Sequence, residues 1–284
     1  MDILAVDDGS TDGTWAAITE MSRANPLVNG VRLSRNFGKE SAIFAGLEKF
    51  EKAKGGDCVI VMDADMQHPP ETAVEMFGLW LGGGYAIVEG IKIRRQKESR
   101  LKRAGARLFY FIFGKSAGLD MGNTSDFKLL DRGVVALLTK MPERSTFFRA
   151  MANWTGLPTA KVFYEVGKRA GGKTKWRPFS LFRLAFGSIA SYTAAPLHIV
   201  TFAGVLFFVF AVVLGAQSLW AKFSGRSTEG FTTVILLLLI IGGVLMTSLG
   251  IIGVYIAKIY EEVKYRPRYI IAEAVGTVYG RRES

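Results

Sequence analysis

The sequence predicts an α/β domain followed by a two-helix transmembrane hairpin. Near the C-terminus, two uncharged apolar runs cover residues 197–221 and 231–257. Each is longer than the roughly 20 residues that a helix needs to cross the ~30 Å hydrocarbon core of a bilayer. Before them, short apolar runs alternate with segments of helical periodicity, as in βα units. We therefore expect a soluble domain over residues 1–177 whose chemistry takes place at a membrane surface.

The βα alternation can be followed along the chain. The predicted strands are Ile3–Val6, Gly30–Leu33, Cys58–Met62 and Ala86–Gly90, and the predicted helices are Thr14–Arg23, Lys39–Lys49, Pro70–Leu81 and Val134–Lys140. The run Cys58–Met62 is almost entirely apolar, which is typical of a strand buried on both faces of a parallel sheet. This order indicates an open α/β sheet with helices on its faces.

Two further stretches combine basic with aromatic residues, namely Arg100–Phe113 and Pro178–Tyr192. Ordinary core helices with a charged outer face have the same pattern. Their position next to a membrane anchor favours helices that lie at the level of the lipid headgroups, the second as an interfacial helix over residues 178–195.

Composition limits the class of partner. The net charge is +11, which fits nucleic acid, anionic lipid or phosphorylated substrates, and the apolar runs favour lipid and phosphate over nucleic acid. The single cysteine, Cys58, excludes an intrachain disulfide. Lys and Arg flank the outer ends of the apolar runs, so the positive-inside rule places both termini in the cytoplasm, with residues 259–284 as a cytoplasmic tail. The expected protein is a multi-pass protein of the inner (plasma) membrane.

Two adjacent carboxylates, Asp7 and Asp8, follow the first predicted strand. In open α/β sheets, ligands bind at the carboxyl ends of the strands. Carboxylates there can accept hydrogen bonds from a nucleobase or from ribose hydroxyls. A glycine-rich turn with a helix cap accounts for residues 9–14 equally well, but it does not explain two neighbouring aspartates.

Asp63 and Asp65 follow the third predicted strand. Two carboxylates one residue apart can hold Mg²⁺ or Mn²⁺ against a substrate diphosphate, although the same pattern also occurs in plain polar turns. His68 is expected to be a turn residue. Asp126 lies in a short polar run before apolar residues, where it either faces a cleft or caps a helix, and Asp131 is the better cap for the helix beginning near Val134.

Three segments in this order, VDDGSTDGT, DADMQHPPE and NTSDFKLLDR, resemble the family 2 glycosyltransferases, which have the GT-A fold. The branch they resemble is the polyprenyl-phosphate glycosyltransferases, which includes bactoprenol glucosyltransferases and dolichol-phosphate mannose synthases. RAGGKTKW before the apolar runs and YEEVKYRP after them agree with it, so the resemblance covers nearly the whole chain.

The resemblance implies a role for each acidic residue. Asp7 and Asp8 would contact the nucleoside, and Asp63 and Asp65 would hold the ribose and the metal-bound diphosphate. Gln67 would lie beside the donor, and Asp126 matches the proposed catalytic base of the family. The basic residues expected at phosphate groups of donor or acceptor are Arg94, Arg95, Arg169, Lys173 and Lys175. Arg94 and Arg95 suit a solvated or lipid-facing surface equally well.

The implied reaction is inverting transfer of glucose from UDP-glucose to undecaprenyl phosphate, with other donor sugars left open. Small residues in the second apolar run would permit close helix packing and a homo-oligomer. Family members begin with one more strand, which ends in a Pro-x-Tyr-Asn-Glu-like motif, whereas this chain begins in the equivalent of their second strand. Loss of a central strand would open a sheet edge, so the alternative function is a catalytically inactive membrane scaffold.

Overall fold

The computed structural model of the chain describes residues 1–53, 55–93, 125–143, 146–165, 195–225 and 230–276. These form two compact units. The first unit holds the mixed α/β part together with the residues from Tyr265 onward, and the second holds two long helices that end by Lys264.

Strands and short helices alternate through the first unit. In the described residues its strands are β1 (Ile3–Asp7), β2 (Val28–Leu33), β3 (Cys58–Val61), β4 (Ile87–Lys92), β5 (Lys128–Asp131), β6 (Thr159–Tyr164) and β7 (Ile271–Val275). Its helices there are α1 (Thr14–Ala24), α2 (Lys39–Lys52), α3 (Pro70–Gly83), α4 (Arg132–Lys140) and α5 (Phe148–Trp154). The predicted strands and helices of the N-terminal part are confirmed to within a few residues at their ends.

The strands form two sheets. One has the order β1-β2-β7, with β1 parallel and β7 antiparallel to β2. The other has the order β3-β5-β4-β6, in which β5 runs antiparallel to both of its neighbours and β6 runs parallel to β4. The carboxyl ends of β3 and β4 lie beside the start of β5. The segments that follow β3 and β4 therefore meet the segment that precedes β5 at one edge of this sheet.

The prediction that the third strand is buried in a parallel sheet is wrong. β3 pairs antiparallel with β5, and all four of its residues are half-buried. Its apolar sequence does not distinguish the two pairings, because the direction of pairing is set by the neighbouring strand and not by the residues of β3 itself. Within the described residues, β1 and β3 each have one neighbouring strand, as do β6 and β7.

Helix α2 packs against both sheets. Its Ala45 belongs to the cluster that includes Val31 and Leu33 of β2 and is lined by Leu4 and Val6 of β1. Neighbouring residues of the same helix, Phe44, Leu47 and Phe50, enter the larger cluster under β3, β4 and α4. Burial of large apolar side chains on both sides of one helix stabilises its position, and its N-terminus is therefore a fixed point of the fold.

Helix α4 begins at a side-chain cap. The Asp131 carboxylate accepts a hydrogen bond from the Gly133 amide at 2.8 Å, which confirms the cap predicted from the sequence. The same carboxylate accepts a hydrogen bond from the Trp80 indole at 3.2 Å and so joins α3 to α4.

The chain returns to the first sheet after its two long helices. β7 lies within the segment that the sequence assigned to a tail over residues 259–284. Before β7, Tyr269 donates a hydrogen bond to Glu48 of α2 at 2.6 Å, and the Arg268 guanidinium lies over the Phe44 ring at 4.9 Å. The predicted tail is therefore part of the α/β unit from Tyr265 through β7.

The second unit consists of α6 (Ala195–Phe223) and α7 (Phe231–Val263). Within them, Val200–Ala221 and Ile240–Val263 are long and apolar enough to cross a membrane, on the basis of length and composition. Most of the side chains described there are exposed, as expected for surfaces that face lipid. The two predicted interfacial stretches lie outside the described residues, except for residue 195 at the start of α6.

Candidate active site

Asp7 closes β1 and holds a tight turn. Its carboxylate is 3% exposed and accepts a hydrogen bond from the Ser10 amide at 3.0 Å, while Arg32 Nε lies 3.6 Å from Oδ2. Within the described residues, Oδ2 has no hydrogen-bond partner. Gly9 has φ +66°, and a Cβ there would overlap the Arg35 backbone. A buried carboxylate oxygen without a hydrogen bond is rare and suits a donor group of a ligand.

Asp8 shapes the turn that precedes α2. Its Oδ1 accepts a hydrogen bond from the Phe37 amide at 2.7 Å, and its Oδ2 accepts one from the Gly38 amide at 2.9 Å. Gly38 has φ +96°, a conformation that favours glycine. Asp8 therefore fixes the point at which Lys39 begins the helix.

Asp63 and Asp65 follow β3 and are ordered by their neighbours. The Asp63 amide donates to Nδ1 of His68, whose buried ring stacks on Phe127 with centroids 4.6 Å apart. Burial lowers the pKa of His68, which favours the neutral ring, whose Nδ1 can accept this hydrogen bond. Asp65 accepts hydrogen bonds from the Gln67 amide at 3.1 Å and from its side-chain nitrogen at 2.7 Å.

These two aspartates fit a divalent cation as part of its ligand shell. The described residues contain no group of three or more His, Cys, Asp or Glu that could hold a metal alone. Mg²⁺ is commonly bound by one or two carboxylates together with substrate phosphates and water. The Lys39 ammonium lies 2.8 Å from each oxygen of Asp63, which shows that this point already attracts positive charge.

Asp126 lies next to them, just before β5, and is held by two cations. Arg149 donates from Nε at 2.6 Å and from Nη2 at 2.8 Å, and Lys39 Nζ lies 2.7 Å from Oδ2. Burial raises the pKa of Asp126, but the hydrogen bonds and charges of Arg149 and Lys39 outweigh it and lower the pKa to about 2. A carboxylate with so low a pKa accepts a proton poorly at neutral pH.

The structure thus brings Asp63 and Asp126 together through a lysine that the sequence analysis did not identify. It also places Arg149 at the site, and Glu40, whose carboxylate accepts a hydrogen bond from the Phe148 amide at 2.7 Å. Burial raises the pKa of Glu40. A glycine followed by lysine after the second strand was a signal for Lys39, since that strand ends at the ligand-binding edge. No comparable signal marks Arg149.

A buried ion pair lies on the strands next to Asp126. Lys128 of β5 and Glu89 of β4 are opposite each other in register, and their side chains are 0% and 2% exposed. Burial lowers the pKa of Lys128, and the charge of Glu89 opposes this effect. Since each charge has its counterion, the pair is tolerated inside the sheet. The basic residues predicted at phosphate groups, Arg94, Arg95, Arg169, Lys173 and Lys175, lie outside the described residues.

Comparison with known proteins identifies the family. The model of glycosyl transferase family 2 matches residues 1–137. An uncharacterized glycosyltransferase of Synechocystis is 34% identical over 280 residues, covering 98% of this chain and 86% of that protein. A prophage bactoprenol glucosyl transferase homolog of Escherichia coli K12 is 34% identical over 273 residues, covering 95% of this chain and 88% of the relative.

A bactoprenol glucosyl transferase of Shigella phage SfII is 33% identical over 276 residues, covering 96% of this chain and 88% of the relative. Among solved structures, glucosyl-3-phosphoglycerate synthase of Mycobacterium tuberculosis, in complex with Mn²⁺, UDP-glucose and phosphoglyceric acid, is 20% identical. It aligns over 66% of either chain with a TM-score of 0.39. From the family model and the extent of these relatives, the chain belongs to glycosyl transferase family 2 and is a glycosyltransferase.

Proposed function

We propose that this protein transfers glucose from UDP-glucose to undecaprenyl phosphate at the cytoplasmic face of the plasma membrane, with inversion at the anomeric carbon. The observation that supports it best is the row of alternating charges formed by Asp63, Lys39, Asp126 and Arg149. Carboxylates suit the metal-bound donor, and an arginine suits an anionic acceptor. The relatives named bactoprenol glucosyl transferase support the same acceptor class.

The donor would lie along the ends of β1 and β3. Asp7 would accept a hydrogen bond from the nucleoside on Oδ2, the buried oxygen that has no hydrogen bond in the described residues. Asp63 and Asp65 would hold Mg²⁺ or Mn²⁺ on the diphosphate, and Gln67 would keep Asp65 in place. When bound, the metal neutralises the charge that develops on the leaving nucleoside diphosphate. Asp8 would act by holding the turn that carries Lys39.

The acceptor phosphate needs little help from a general base to lose its proton. A phosphate monoester has a second pKa near ~6, so at neutral pH it is largely a dianion and already nucleophilic. Its oxygen would attack the anomeric carbon from the face opposite the leaving diphosphate, and the bond from that carbon to the diphosphate oxygen would break. Asp126, whose pKa is about 2, would orient Arg149 and Lys39 rather than accept a proton.

We further propose that α6 and α7 both span the membrane and that both chain termini are cytoplasmic. The connection between them is short, and the residues on their outer sides are rich in Lys and Arg, as the positive-inside rule requires for this orientation. Nucleotide sugars are cytoplasmic substrates in this arrangement, and the lipid phosphate reaches the site from the membrane.

The proposal is tested with membranes that contain the full chain, labelled UDP-glucose, Mg²⁺ and undecaprenyl phosphate. We expect organic-extractable label from the wild type and none from Asp65→Asn. Asp57→Asn is the matched control because Asp57 is exposed at the opposite end of β3 and should remain active. Equal labelling with Asp65→Asn, or donor binding without any lipid product, would contradict the proposed reaction.

A further inference from the structure

Lys39 joins two carboxylates that belong to different parts of the reaction. Its ammonium lies 2.8 Å from each oxygen of Asp63 and 2.7 Å from Oδ2 of Asp126. Asp63 follows β3, where the donor and its metal are proposed to bind. Asp126 precedes β5 and carries Arg149, which is proposed to face the acceptor. A single flexible cation therefore connects the donor side to the acceptor side.

The backbone fixes the root of this side chain. Lys39 is the first residue of α2, and both preceding amides are held by Asp8 at 2.7 and 2.9 Å. The helix behind it is anchored by side chains such as Phe44 and Leu47, which are buried in the core. The Lys39 side chain is 47% exposed, so its ammonium has room to change partners while the backbone stays in place.

A divalent cation and Lys39 make competing demands on Asp63. A lysine that already occupies both oxygens of the carboxylate must give up at least one before a metal can bind there. A metal at that point also brings two positive charges close to the ammonium, and like charges within ~4–6 Å disfavour each other strongly. Asp126 offers the ammonium a second carboxylate partner, which a metal at Asp63 would leave available.

We propose that Lys39 is a positioning residue that neutralises Asp63 before the metal arrives and is displaced toward Asp126 and the acceptor phosphate when it binds. This inference rests on the proposed function for the identity of the two substrates. It makes binding of the metal and of the acceptor phosphate mutually dependent, because each changes the partners available to the same ammonium. Lys39 thus lowers the affinity for metal alone and favours the fully loaded complex.

The test is the binding of Mn²⁺ alone to the purified full-length chain in detergent, followed by the electron paramagnetic resonance signal of free Mn²⁺. Removal of the competing charge in Lys39→Met should tighten Mn²⁺ binding by about tenfold or more, as expected for a like charge at this range. Lys49→Met is the matched control, since it removes the same charge from the same helix about 15 Å away along the axis, and it should bind as the wild type does. Asp65→Asn identifies the fraction of binding that belongs to this site.

Lys39→Gln is the second variant, because it removes the charge but keeps a hydrogen-bond donor, and it should also bind Mn²⁺ more tightly. Thermal unfolding of each variant shows whether it is folded. Unchanged or weaker Mn²⁺ binding in a folded Lys39 variant would overturn the inference. Glucose transfer is measured separately. If the Lys39 variants bind Mn²⁺ more tightly but the wild-type protein transfers no glucose, the proposed function is refuted and the inference about Lys39 is not.

Discussion

Asp126 shows how two cations can change what a carboxylate is able to do. Its side chain is only 4% exposed, and without Arg149 and Lys39 its burial would favour the protonated form. With them, its pKa falls to about 2, and it stays ionised throughout the range in which an enzyme works. The residue that matches the proposed base of the family is therefore an electrostatic anchor for its neighbours.

Asp126→Asn should lower the free energy of unfolding at pH 7 by about 2 kcal/mol, because the pKa is lowered from 3.8 to about 2 in the folded protein. A depressed pKa stabilises the folded state above the pKa of the unfolded chain, and this contribution disappears as the pH falls from about 4 toward 2. Thermal unfolding at pH 7 and at pH 3 measures it. Asp57→Asn, at an exposed site, should change neither value, and an equal loss for both variants would refute the assignment.

The pH dependence of the rate is a separate prediction. An acidic limb near pH ~6 should come from the second ionisation of the acceptor phosphate and not from Asp126. Asp126→Asn should therefore lower the maximal rate, since Arg149 and Lys39 lose their anchor, while the limb remains in place. Initial rates between pH 5 and 8 with saturating donor test this. Loss of the limb at normal acceptor affinity would instead identify Asp126 as a true base.

At this scale, local sequence marked the acidic residues that the structure places at the candidate site, but not the two cations between them, Lys39 and Arg149. Asp7, Asp63, Asp65 and Asp126 each follow or precede an apolar strand, a local signal that one sequence can show. Lys39 and Arg149 acquire their roles from partners distant in the chain, because Lys39 contacts residues 63 and 126. Nothing in the local sequence near Arg149 reports a contact with residue 126.

Among the elements, β7 and the segment before it hold α2 in place. Glu48 accepts a hydrogen bond from Tyr269 at 2.6 Å and lies 3.7 Å from Arg268. In β7 itself, Glu273 accepts hydrogen bonds from Trp15 at 3.0 Å and from Arg32 at 2.8 Å. Since Arg32 also approaches Asp7, the last strand supports the turn that is proposed to bind the nucleoside.

Glu48→Gln should destabilise the α/β unit by about 1 kcal/mol, the usual net value of one side-chain hydrogen bond, or a few degrees in Tm. The hydrogen bond from Tyr269 and the ion pair with Arg268 are weakened, and α2 loses part of its attachment. Glu51→Gln removes the same charge one turn further along α2 and should have little effect. Thermal unfolding in detergent compares the two variants, and equal shifts in Tm would argue against a stabilising contact between α2 and the segment before β7.

The elements that the sequence missed have physical reasons for being hard to see. β5 is short and contains Lys128, a charge that is tolerated inside the sheet because Glu89 lies opposite. β6 alternates exposed with more buried residues, but one of its exposed positions is the apolar Phe163, and β7 does not alternate strictly. Strands with continuous apolar runs, such as β1 and β3, were predicted correctly as strands. The partner of β3 was not, because pairing depends on residues 70 positions away.

On the scale of the whole molecule, orientation in the membrane is the main prediction. In a Cys58→Ser background, Ser227→Cys should react with a membrane-impermeant maleimide in intact cells, because position 227 lies between α6 and α7 in the sequence. A cysteine at Ser284 should react only after permeabilisation. The reverse pattern would invert the proposed orientation, and equal reaction of both sites in intact cells would exclude a hairpin.

The return of the chain to β2 through β7 limits how many times the chain can cross a membrane. β1 and β2 are built before α6, and β7 is built after α7, yet all three share hydrogen bonds in one sheet. One sheet cannot lie on two sides of a bilayer, so the chain must cross an even number of times between residues 165 and 271. Among the helices described between these positions, a crossing by α6 requires α7 to cross back. A substitution that prevented either helix from inserting would therefore separate β7 from β2 and damage this sheet from within the membrane.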